Sequence, residues 1–153
     1  MSTPAESAEL LLKLYELRRE KKLRRAREWF AAQQFQSVDD LIAAARGKEN
    51  HFFRMVLSYW DMTAALVLHD AIDPAMFHDA GNEHVYVWAK LEPFLGEFRA
   101  RVNQPTYLSK LERLIAAMPD GKERVESMQA RQRAALAARS EQRGEAEPAG
   151  NRN

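Results

Sequence analysis

The chain has 153 residues, 46% hydrophobic and 29% charged, proportions that suit one globular domain with a core of its own. It contains no cysteine, which excludes a disulfide framework, a thiolate metal site and a cysteine nucleophile. The formal charge is only +1, yet residues 1–36 carry eight Lys and Arg against five acids, residues 37–104 six against ten, and residues 105–153 nine against seven.

Taken in chain order, the periodic segments all read as helix. A first helix is predicted from Pro4 to about Gln34, capped by Ser2 or Thr3 with Pro4 at its first position. Ser37 caps a short helix through Ala45, and Gly47 is expected to stop it in a left-handed conformation. Asn50 begins a third helix that runs to about Asp70. Asp73-Pro74 starts a brief helical turn ending at Gly81. Asn82 opens a long fifth helix, which Pro93 is expected to kink because its ring clashes with the preceding turn. Gln104-Pro105 starts a sixth helix closed by Pro119-Asp120-Gly121, and a seventh runs from Lys122 to about Ser140. No stretch alternates apolar and polar residues as a strand would.

These elements predict an all-α compact bundle of six to seven helices. Residues 1–140 form one domain, a long basic N-terminal helix over 1–36 and a bundle over 37–140, followed by a disordered tail over 141–153. Phe53, Leu57, Trp60, Ala64, Val67 and Ala71 mark one apolar face of the third helix. Phe52, Val56, Tyr59, Thr63 and Leu66 mark a second, so this helix is central. Trp88, Leu91, Leu95, Phe98 and Val102 form the stripe of the fifth helix, and Leu108, Leu111, Ile115 and Met118 that of the sixth. The seventh offers Val125, Met128, Ala135 and Leu136. The most apolar stretch, Met62–Leu68, is far short of the roughly 20 residues of a membrane span. With acids at Glu6 and Glu9 and no export signal apparent, a cytoplasmic protein is expected.

The first helix carries the most unusual chemistry. Seven of the ten residues from Arg18 to Arg27 are basic, and Arg18, Lys21, Lys22 and Arg25 fall within about a 100° arc. Leu12, Tyr15, Leu23, Ala26 and Phe30 occupy an arc that can face the core. Leu10, Leu14 and Leu17 make an additional seam on another side. Two apolar faces on a terminal helix call for cover. The leading expectation is therefore a module for self-association or protein docking, with Leu10, Leu14 and Leu17 as apolar anchor and Arg18, Lys22 and Arg25 as contacts to an acidic surface. The alternative is nucleic-acid or anionic-surface binding through the same cations, whose affinity would fall with salt.

A third expectation concerns the helix junction, where His69, Asp73, His78 and His84 are candidate metal ligands for a small metal-dependent enzyme. His51 lies on the same predicted helix as His69, about 27 Å away at 1.5 Å per residue, too far to share an ion. Asp61, inside an apolar helix, is expected to pair with an arginine. No nucleophile elbow, glycine-rich phosphate loop or zincin pattern occurs, so no catalytic residue and no cofactor is expected.

One resemblance covers roughly residues 52–100. Tyr59-Trp60-Asp61, Ala64 to Leu68, Ile72-Asp73, Phe77, Val87-Trp88 and Pro93-Phe94 together resemble a group of small bacterial all-helical proteins classed as a domain of unknown function. Asp61 stands where that pattern has glutamate, and Asp70-Ala71 where it has a glycine. The resemblance implies a helical fold and no activity.

Overall fold

A computed structural model describes residues 1–146, which form eight helices and no strand. They are α1 (Pro4–Arg19), α2 (Lys21–Ala32), α3 (Val38–Arg46), α4 (Asn50–Leu68), α5 (Pro74–Ala80), α6 (Glu83–Arg101), α7 (Ser109–Ala117) and α8 (Gly121–Ala146). None of these helices is long and apolar enough to cross a membrane.

The all-α expectation holds, but the N-terminal helix does not run unbroken from Pro4 to Gln34. It divides at Glu20, whose backbone is extended (φ −57°, ψ 133°) and whose carboxylate accepts the Leu23 N–H at 3.0 Å as the cap of α2. On a straight helix, Leu11 and Leu14 would point roughly 120° away from Leu23, Ala26 and Phe30. The elbow turns both sets into one core, where all five are buried.

Other ends follow the sequence closely. Thr3 and Glu6 form a capping box on α1, and Ser37 and Asp40 form one on α3. Gly47, however, has φ −72° and is not left-handed. Its lack of a side chain matters because a Cβ there would approach the Ala43 carbonyl oxygen to 2.8 Å. The left-handed stop belongs instead to Asp70 (φ 57°), just past α4, a position where Asp is among the few tolerated residues. That is the place where the resembled pattern carries glycine, so both residue types satisfy the same backbone demand.

Helix α4 occupies the centre, packed against α2, α3 and α7. Phe53, Leu57, Trp60, Ala64 and Val67 are buried, as are Val56, Tyr59 and Thr63. Phe52, Leu66 and Ala71 lie half-buried at its edges. Asp61 does not pair with an arginine. Its Oδ1 accepts the N–H groups of Lys110 (3.1 Å) and Leu111 (3.0 Å), and its Oδ2 lies 3.3 Å from the Lys110 ammonium. Leu108, which precedes α7, supplies no cap and is itself left-handed (φ 58°), so α4 lends the carboxylate that α7 lacks. Residues 105–108 are consequently turn, and α7 starts later than the expected Gln104-Pro105. The left-handed conformation costs about 1–2 kcal/mol, and burying the Leu108 side chain offsets a similar amount.

Pro93 does not end α6. Its missing N–H leaves the Ala89 carbonyl without its helical donor, and Gln129 of α8 donates to that oxygen at 3.3 Å. Gln132 likewise donates to the Tyr86 carbonyl at 3.1 Å, so α8 is fastened to α6 by amide side chains. Helix α8 runs past Ser140 to Ala146, which corrects the expectation of a disordered segment over residues 141–146. Residues 147–153 lie outside the described residues.

Gly121 opens α8 where its Cα is pressed against the end of α7. A Cβ there would sit 2.2 Å from the Ile115 carbonyl oxygen. Gly121→Ala is expected to lower stability by about 2 kcal/mol as the α7–α8 turn opens, which a urea denaturation midpoint measures.

Candidate functional site

The structure splits the expected docking residues into two groups. Leu14 is buried, and Tyr59 Oη donates to its carbonyl at 2.8 Å; Leu10 is half-buried against the core. Leu17 is 50% exposed. Arg18 turns inward, whereas Lys22 and Arg25 stay exposed together with Lys21 and Arg24. None of those four forms an ion pair among the described residues. Leu12 and Tyr15, expected to face the core, are exposed instead, at 66% and 42%; the Tyr15 hydroxyl donates to the Ala80 carbonyl at 2.8 Å.

Arg18 enters an ionic cluster built on Glu83, at the start of α6. Arg27 donates from Nε to Glu83 Oε1 (2.8 Å) and from Nη2 to Oε2 (2.6 Å), while Arg18 donates from Nη2 to the same Oε2. Arg27 Nη1 also reaches the Arg18 carbonyl at 3.3 Å, which ties the two arms of the elbow together. Burial alone would raise the Glu83 pKa, but the two guanidiniums outweigh it and hold the carboxyl below its usual range. The Arg18 guanidinium carbon lies 4.8 Å from the Tyr15 ring centroid and 5.5 Å from that of Trp60. Its Nε and the Trp60 indole Nε1 are buried without an acceptor. A cavity of about 210 Å³ borders this cluster between α1, α4 and the α5–α6 turn.

The candidate metal ligands do not converge as a set. His69 is exposed at the end of α4, and Asp73 spends its carboxylate on the Met76 N–H (2.7 Å) as the cap of α5. His78 and His84 do meet, with Nδ1 of the first 3.3 Å from Nε2 of the second. Among the described residues no group of three or more His, Asp and Glu side chains is placed to hold an ion. Burial pushes His84 down to about 3, with the neighbouring His78 ring and the positive charges of Arg124 and Arg18 adding to the effect; burial also lowers His78. Both rings are neutral at pH 7, one donating to the other, with the Phe77 ring tilted against His84 at 4.7 Å between centroids.

The family model described as a domain of unknown function (DUF4760) matches residues 3–118. The chain belongs to this family. No curated protein and no solved structure matches it. The DUF4760 match extends the resemblance over residues 52–100 to take in α1, α2, α3 and α7, and it stops at Met118, ahead of α8. The Arg18–Glu83–Arg27 cluster, Trp60 and the His78–His84 pair all lie within the matched stretch. The DUF4760 assignment itself names no reaction.

Sequence reasoning missed Arg27 and Glu83 as partners, because nothing in a single chain links positions 56 apart on different helices. It also passed over Lys90. A lysine between Ala89 and Leu91 of an apolar stripe was a usable signal, since such a cation needs acceptors.

Proposed function

We propose that the protein is a protein–protein interaction module that self-associates through the solvent face of the α1–α2 elbow. The observation that carries this reading is the group of four exposed cations, Lys21, Lys22, Arg24 and Arg25, which have no carboxylate partner among the described residues and follow the half-exposed Leu17. Leu10, Leu14 and Arg18 then serve to hold the elbow in shape rather than to touch the partner. The surface offered in return is the acidic middle of a second copy, residues 37–104, where Glu49, Asp70, Asp79, Glu92 and Glu97 are exposed. A polyphosphate would satisfy the cations and leave Leu17 in water, which favours a protein surface over nucleic acid.

Sedimentation velocity across a concentration series tests this. A dimer is expected at low salt, loosening as ionic strength rises to about 0.5 M and the screening length falls below ~5 Å. Leu17→Asp and the double change Lys22→Glu, Arg25→Glu should each weaken association at least about tenfold. A monomer at every concentration overturns the proposal. If that monomer is retained on RNA in a salt-sensitive way, and the charge variants are not, the polyanion reading takes its place.

A further inference from the structure

A second feature lies on the opposite side of α6 from the histidine pair. The segment after α2, the middle of α6 and the middle of α8 enclose a groove of about 590 Å³. Phe35, Phe94, Met128 and Leu136 supply most of its apolar wall. Its charged lining residues are all cations, Lys90, Arg131, Arg133 and Arg139, and five glutamines complete the polar lining. No Asp or Glu lines it among the described residues.

Of these cations, Lys90 is already satisfied within the protein. Its ammonium donates to the carbonyls of Phe30 (2.9 Å), Ala31 (3.0 Å) and Gln33 (2.5 Å), closing the C-terminus of α2, and sits 5.1 Å from the Tyr86 ring centroid. Burial pulls the ammonium down to about 8, and the positive charge of Arg139 adds to the fall. Arg139 lines the same groove and forms no ion pair among the described residues. The groove therefore combines an apolar floor with converging positive charge.

We propose that this groove binds a small amphiphilic anion, a fatty carboxylate whose chain lies along Phe94, Met128 and Leu136 and whose head group is met by Arg139. At ~30 Å³ per heavy atom, 590 Å³ holds about twenty atoms, room for a carboxylate of up to roughly eighteen carbons. A peptide helix, about 10 Å across and 5.4 Å per turn, would nearly fill the same space with one turn. A flexible chain is the better fit. The anion would also offset the charge of Arg139, which has no ion-pair partner among the described residues.

Isothermal titration of the full chain with dodecanoate, kept below its micellar concentration, provides the test. One site per chain and a negative heat-capacity change are expected. Dodecyltrimethylammonium, with the same chain length and opposite charge, should bind at least about tenfold more weakly. Arg139→Glu should weaken dodecanoate at least about tenfold and invert the preference, while Leu136→Asp should weaken both amphiphiles. Both positions are at least partly exposed, so the fold should persist, and far-UV circular dichroism verifies that. Equal affinity for the two amphiphiles, unchanged binding by Arg139→Glu, or no binding of dodecanoate overturns the proposal. Elbow variants such as Leu17→Asp should bind dodecanoate normally, which separates this site from the association surface.

Discussion

Glu83→Ala is expected to destabilise the protein by about 3 kcal/mol at pH 7, because it strands two guanidiniums that share one carboxylate. The side chains of Arg18, Arg27 and Glu83 are each less than a third exposed, so water compensates them poorly. Arg18 is the worse placed, lying against Tyr15 and Trp60 with its Nε already unpaired. Glu83→Gln keeps the shape and one acceptor oxygen and should cost roughly half as much. The dependence on pH has a definite sign. With its folded pKa held below the ordinary 4.5, Glu83 contributes stability that is present above pH 4.5 and disappears as pH falls through the depressed folded value. Urea midpoints at pH 7 and pH 4 should therefore differ more for the native chain than for Glu83→Gln. A loss under about 0.5 kcal/mol for Glu83→Ala would mean that the cluster is an exposed pair of little consequence.

Acid should weaken the fold well before the carboxylates titrate. His84 is buried and neutral, with a folded pKa of about 3 against 6.5 when unfolded. Between these values the unfolded chain binds a proton that the folded chain refuses, so stability falls as pH drops below 6.5 and stops falling on this account near pH 3. The slope approaches about 1.4 kcal/mol per pH unit, and the clean window from pH 6.5 to 4.5 represents a loss of about 2 kcal/mol. His78, lowered by burial and by Arg124, adds to the same trend. His84→Phe, which keeps an aromatic ring beside Phe77 and Trp60, should flatten this limb. An unchanged slope in that variant would assign the acid sensitivity to other groups.

Much of the fold was legible because it rests on local rules. Periodicity alone identified α4 as the central helix, and the caps at Thr3, Ser37 and Asp73 announced three helix starts. The departures come from residues whose role depends on something far away in sequence. Glu20 reads as a helical glutamate in a charged run. It breaks the helix only because the core requires two apolar faces to be realigned. Asp61 reads as an anion in want of an arginine, yet it caps a helix that begins nearly fifty residues later. The surface proposed for association was half legible. The free lysines and arginines of the elbow could be counted, but the inward turn of Arg18 and the burial of Leu14 depended on where α4 and α6 would lie.

The proline in α6 has an effect beyond its own helix. By withholding one hydrogen-bond donor it creates a vacant acceptor, and Gln129 of α8 occupies it. The C-terminal rod is thus moored at a point that the family-matched body prepares but does not itself fill. Such a mooring is a directional catch rather than a greasy seal: it fixes the rod's register along its neighbour while burying little of it. The wall of the groove that α8 supplies is thereby held at one fixed alignment against α6.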